Sequence, residues 1–209
     1  GVLKALKSPS RSIKNFENFE AKRPWDAITS YNAPLNKPEE FEVYPNRDSL
    51  PFIEQYDFNP NWKIKQFVRG TLRLKGWAEA WEEIFKEIET LNGEAGEKRL
   101  TEMSEQFWQD NAYSENEPDR VILCVDFKAV QNQNVIWHKT YKMDAWGDTQ
   151  GTAMARLVSH PVYLAVTAIT DNEMDTGISA AVSKPNLVDK WLKYINNLAQ
   201  EFDIIDHLI

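Results

Sequence analysis

The sequence predicts an α/β protein, and three observations carry that prediction. Apolar and polar residues alternate, with the two-residue period of a half-buried strand, over 41–44, 63–74, 120–128 and 134–143. Elsewhere apolar residues recur every three or four positions, as on one face of a helix, over 77–91, 100–107, 153–170 and 185–202. The chain is 209 residues long, 42% hydrophobic and 12% aromatic, with eight Trp, which is enough apolar surface to bury a core.

The elements follow in order. A short helix is expected at 2–6. The segments 7–12 and 33–38 are punctuated by Pro and Ser, so the first forty residues read mainly as connecting loops. Phe41-Glu42-Val43-Tyr44 reads as a strand closed by a turn at Pro45-Asn46, and 63–74 as a longer strand. Trp77, Trp81, Ile84, Phe85, Ile88 and Leu91 define one helix, which Asn92-Gly93 closes; Leu100, Met103 and Phe107 mark the next. Their aromatic stripes read as core. The linker Gln131-Asn132-Gln133 joins 120–128 and 134–143 as an antiparallel hairpin. A polar loop, 145–152, leads into 153–170, apolar enough for a buried helix that Pro161 must start, kink or divide. Pro185-Asn186 opens a last helix with Leu187, Val188, Trp191, Leu192, Ile195, Leu198 and Phe202 on its inner face.

Composition excludes several classes of function. A net charge of −8 argues against a general nucleic-acid binder, since phosphate contacts need a basic surface. Apolar runs are a few residues long, against the ~20 of a membrane helix, and no signal peptide is evident. One cysteine, Cys124, excludes an internal disulfide and multi-cysteine metal sites and reads as a buried structural thiol. A soluble, reducing, cytoplasmic setting is expected. The start at Gly1 without Met suggests a fragment or processed chain. No G-x-G-x-x-G, G-x-x-x-x-G-K-[ST] or G-x-S-x-G occurs, so no nucleotide-cofactor loop is expected within these residues. His138, His160 and His207 lack metal-like spacing, and no metal ligand is assigned. His138 reads as strand surface or a packed histidine rather than a catalytic base. Glu82, Glu83, Glu87 and Glu89 read as a solvated helix face.

One strand has a distinctive face. Along 63–74, Ile64, Val68 and Leu72 share one parity, while Lys63, Lys65, Phe67, Arg69, Thr71 and Arg73 share the other. The plain reading is a solvated outer face; the sharper one is an anion-binding face, favoured by Arg47 in a nearby turn of an otherwise acidic chain. For Arg69 a structural ion pair is an equal alternative.

The segments Tyr44-Pro45-Asn46-Arg47-Asp48-Ser49 and Arg69-Gly70-Thr71-Leu72-Arg73 resemble the signature pair of the C-terminal region of the NADP-dependent, glutamate-forming saccharopine dehydrogenase family. Gly151-Thr152-Ala153-Met154-Ala155-Arg156 with Pro161 resembles the family's return segment, and Gly1-Val2-Leu3 the stretch that follows its nucleotide domain. The resemblance implies an open mixed β-sheet covered by helices, with the Rossmann domain that holds NADP lying outside this chain. It implies reduction by NADPH of the imine formed from glutamate and 2-aminoadipate 6-semialdehyde, giving saccharopine in lysine metabolism. Arg47, Thr71, Leu72 and Arg73 match substrate-contacting positions; no catalytic acid or base is assigned. A connecting segment would span 1–36, a substrate-binding and dimerisation domain 37–143 with a short helical insert at 77–117, and a return segment 144–209. An amino-acid-derived carboxylate substrate and a homodimer are the expected partners. A sister oxidoreductase acting on another amino-acid-derived imine and a free-standing, non-catalytic binding module remain the alternatives.

Overall fold

In a computed structural model the chain is described over residues 1–115 and 117–209. It divides into two compact units, one of residues 1–32 with 39–112, the other of 33–38 with 113–209. The α/β class is as expected, with the β structure shared among three three-stranded sheets.

The first unit begins with helix α1 (Val2–Lys7), followed by a hairpin of β1 (Ser10–Lys14) and β2 (Glu17–Ala21). Its two-residue turn holds Asn15 and Phe16 in left-handed conformation, φ 53° and 69°, which matches the twist of the flanking strands. The first forty residues are therefore not mainly loop. Phe16 donates its N–H to the Lys65 carbonyl at 3.0 Å, so the hairpin is a docked element. Strands β3 (Thr29–Ala33) and β4 (Glu39–Pro45) follow, then the short helix α2 (Pro51–Gln55).

The long strand expected at 63–74 is two strands. β5 (Gln66–Phe67) pairs with β1, and β6 (Gly70–Leu74) pairs antiparallel with β4. Their partners belong to different sheets, in the orders β2-β1-β5 and β3-β4-β6, so the chain breaks at Val68-Arg69 to change sheet. Lys63 and Lys65 lie outside both strands, and the single cationic face is reduced accordingly.

The helix expected over 77–91 is also two, α3 (Trp77–Ala80) and α4 (Glu82–Thr90), with Trp81 between them at φ −102°, ψ 7°. That bend lets Trp77 meet Trp81 at 5.1 Å and Phe85 at 5.3 Å between ring centroids. Asn92, in extended conformation, stands at the N-cap position of α5 (Gly93–Asp110), while its side-chain amide donates to the carbonyl of Thr90, the last residue of α4, at 3.2 Å. Leu3, Leu6, Tyr44, Phe85, Ile88, Leu100 and Met103 form the core, and Trp25 stacks on Phe85 at 4.9 Å.

In the second unit β7 (Arg120–Gln131) and β8 (Asn134–Trp146) form the expected hairpin, turning at Asn132 and Gln133, both left-handed. Cys124 on β7 is only half-buried, since β7 is an edge strand of the order β7-β8-β9. α6 (Ala153–Thr170) runs through Pro161 without dividing. It is not a buried helix: Ala153, Leu164 and Ala168 are enclosed, while Met154, Val158, Val162, Val166 and Ile169 are each more than half exposed. The buried Asp119 carboxylate accepts the N–H groups of Ala153 at 2.6 Å and Met154 at 2.9 Å, satisfying donors that a helix start leaves open. α7 (Pro185–Asn196) ends before Leu198, and Phe202 lies in β9 (Glu201–Asp206) opposite Met143 of β8.

Candidate substrate-binding site

The two motifs meet along β4 and β6. The register sets Tyr44 opposite Thr71, Val43 opposite Leu72, Glu42 opposite Arg73 and Pro45 opposite Gly70. Past the strand ends, Asn46 donates its N–H to the Arg69 carbonyl at 2.8 Å, and the hydroxyl of fully buried Ser49 accepts the Arg69 N–H at 3.0 Å. Arg69 is thus held by its backbone from both flanks of the turn that carries Arg47.

That turn is held on its other side by β1. Arg11 donates its N–H to the Arg47 carbonyl at 2.9 Å, its own carbonyl accepts from Ser49 at 2.8 Å, and its guanidinium binds the Asp48 carboxylate. Arg47 itself is exposed, with φ 54°. The left-handed region costs a residue with a Cβ about 1–2 kcal/mol, so the surrounding bonds must impose it. The outcome is an arginine displayed on a rigid turn.

On β6, Thr71 and Arg73 share a face with Tyr44 and Glu42, and Leu72 lies on the other with Val43. β6 is an edge strand, so Leu72 can offer backbone groups along the open edge. Arg73 is half-buried. Its Nη2 donates to the Tyr44 hydroxyl at 3.3 Å, and its guanidinium lies 5.8 Å from the Tyr44 ring and 5.4 Å from the Trp77 ring. Tyr44 stacks on Trp77 at 5.3 Å, which fixes this aromatic floor to the core. Glu42, opposite Arg73 in register, does not neutralise it. The Glu42 carboxylate accepts instead the N–H groups of Gly76 at 2.9 Å and Ala78 at 2.7 Å, at the start of α3. The Arg73 Nε is buried without a hydrogen-bond partner.

Arginine pairing separates these motifs from the rest of the chain. Of eight arginines, Arg11, Arg23, Arg99, Arg120 and Arg156 form ion pairs with carboxylates. Among the described residues no carboxylate pairs with Arg47, Arg69 or Arg73. Arg69 stacks over the Phe52 ring at 3.6 Å, in place of the structural ion pair considered for it. Tyr44, Ser49 and Phe52 support the site through contacts that sequence spacing does not reveal. Surface depressions on α5, lined by Thr101, Ser104, Glu105 and Trp108, hold none of the motif residues.

The third motif organises the start of α6. Thr152 caps the helix by accepting the Ala155 N–H at 3.1 Å, and buried Arg156 donates to the Trp146 carbonyl at 2.6 Å and pairs with Asp148 at 2.9 Å.

The chain belongs to the saccharopine dehydrogenase C-terminal domain family, which matches residues 1–201. Among solved structures it is similar to the apo, histidine-tagged, L-Glu-forming saccharopine dehydrogenase of Saccharomyces cerevisiae, with a TM-score of 0.72 and 18% sequence identity. That alignment covers 98% of this chain and 60% of the yeast chain, so this chain spans less than two thirds of that protein. At that identity the likeness establishes the fold. No curated protein matches the chain significantly. Among the described residues, no helix is long and apolar enough to cross a membrane.

Proposed function

We propose that this chain is the substrate-binding part of an NADP-dependent, saccharopine dehydrogenase-like oxidoreductase of the cytoplasm. The observation that carries the reading is the arginine census: among the described residues, the three without a carboxylate partner are those of the two motifs that β4 and β6 bring together. A ligand with several carboxylates supplies what the chain withholds from them.

In this reading Arg47 and Arg73 each grip a substrate carboxylate, the Thr71 hydroxyl adds a hydrogen bond, and Leu72 contributes backbone. A charge-assisted hydrogen bond is worth about 1.5–3 kcal/mol net, and arginine can make two in parallel. The substrate is the imine of glutamate and 2-aminoadipate 6-semialdehyde, formed with loss of water. A hydride from NADPH to the imine carbon and a proton to nitrogen give saccharopine. NADP is assigned to a nucleotide-binding domain beyond these residues, and none of them is given a role in holding it. This chain's part is to hold the imine still, which is a large share of catalysis in hydride transfer. The exposed apolar face of α6 is the surface assigned to contact with that nucleotide domain, and the outer faces of β7 and β8, with Leu123, Phe127 and Ile136, to a second copy.

The test is saccharopine formation from glutamate, the semialdehyde and NADPH by the full polypeptide of the gene, beside its Arg47→Ala variant. Turnover with kcat/KM reduced about 10- to 100-fold in the variant is expected. Turnover insensitive to Arg47, or none with these substrates, overturns the proposal.

A further inference from the structure

We infer that Asp126, His138 and His207 form a binding site for a borderline transition-metal dication such as Zn²⁺ or Co²⁺ in the second unit. Strand pairing assembles it from three separate places in the sequence. Asp126 on β7 lies opposite Thr140 on β8, and Thr140 lies opposite Ile205 on β9. His138 precedes Thr140 by two residues and shares its face. His207 follows β9 directly, and its N–H is donated to the His138 carbonyl at 3.1 Å, which returns its side chain to that face.

The side chains then converge. One ligand atom from each of Asp126, His138 and His207 lies within 4.8 Å of the others. His138 Nε2 is 3.1 Å from Asp126 Oδ2, and the two imidazoles stack at 4.0 Å between centroids with 19° between planes. Thr140 donates its hydroxyl proton to Asp126 Oδ2 at 2.6 Å, so in its 2.9 Å contact with the Thr140 Oγ1 the His207 Nε2 is the donor. A cation taking the Nε2 lone pair moves that proton to Nδ1.

Two imidazoles and one carboxylate suit Zn²⁺, Co²⁺, Ni²⁺ or Cu²⁺, while Ca²⁺ and Mg²⁺ favour all-oxygen cages. Three protein ligands leave a fourth position for water or an exogenous donor. Thr140, only 4% exposed, is the positioning residue: its hydroxyl holds the Asp126 carboxylate, and before a cation binds it also accepts from His207. Of the lysines in register on this face, Lys142 is committed to Glu201 at 2.7 Å, and Lys128, opposite His138, is exposed. His160, bonded to the Tyr194 hydroxyl at 2.9 Å, takes no part.

The test is calorimetric and visible-absorption titration of Zn²⁺ and Co²⁺ into the chain, stripped with chelator and carrying no histidine tag. Saturable one-to-one uptake is expected, weakened at least about 10-fold by His138→Ala and by His207→Ala, and about 10- to 100-fold by Thr140→Val. His160→Gln should leave it unchanged, and far-UV circular dichroism checks that each variant folds. Uptake that survives both ligand variants, or no one-to-one uptake at about 1 mM metal, overturns the site.

Discussion

The hydroxyl of Ser49 accepts the backbone N–H of Arg69 at 3.0 Å, and Ser49 has no solvent exposure. This bond joins the end of one motif to the start of the other, and Arg47 stands on the loop it closes. Ser49→Ala leaves the Arg69 N–H without its partner in a buried setting. The expected loss is about 1–3 kcal/mol, read as a lower denaturant midpoint with an unchanged slope. A midpoint within error of the parent would show that the bond does not hold the motifs together.

Gly70 is required by a close approach. A Cβ at position 70 would stand 2.7 Å from Val43 Cγ2. Gly→Ala normally gains about 0.4–1 kcal/mol through the unfolded chain. Here overpacking outweighs that gain, and Gly70→Ala should cost about 1–3 kcal/mol. Val43→Ala beside it should recover part of the loss, and a double-mutant cycle in chemical denaturation measures the coupling. Simple additivity would contradict the steric account.

Glu40 gives the fold a defined acid dependence. A hydrogen bond from Lys75 Nζ at 2.6 Å, and a second from Ser30 Oγ at 2.8 Å, hold its carboxyl below its ordinary value. A folded-state pKa below the unfolded one stabilises the fold above the ordinary value of 4.5. That contribution is lost as pH falls through the folded-state value. Thermal midpoints of the parent and Glu40→Gln should therefore differ at pH 7 and converge as the pH falls from 4.5 through the folded-state value. The gap at pH 7 should shrink in 1 M salt, because the pair is exposed. A gap that does not narrow as the pH falls below 4.5 would assign the effect to something other than the charge.

Much of the fold is legible in the residue order, and its failures have identifiable physical causes. The β7–β8 hairpin is plain because both strands are long and alternate. The β1–β2 hairpin is hidden because Arg11, Ser12 and Lys14 give little apolar contrast; the signal available was Asn15, a residue that tolerates left-handed backbone in a two-residue turn. Periodicity runs unbroken through Val68-Arg69 although the ladder does not, since alternation carries no information about which strand is the partner. α6 reads as buried because apolar residues surround it, and sequence does not distinguish a core face from one left open. At the site, the motifs name Arg47 and Arg73. That Glu42 turns to the α3 backbone instead of to Arg73, and that Ser49 bridges to Arg69, depends on tertiary hydrogen bonds. Asp126, His138 and His207 have no recognisable spacing because strand pairing brings them together from three separate places in the chain.

The most direct test of the central claim, that this chain itself grips a polycarboxylate amino-acid substrate, is calorimetric titration of saccharopine. It should be run on the parent chain beside Arg47→Ala and Arg73→Ala. Saturable binding, weakened about 10- to 100-fold by each substitution while circular dichroism stays native, is the predicted result. Binding that survives both substitutions, or no binding to the folded parent chain, would contradict it.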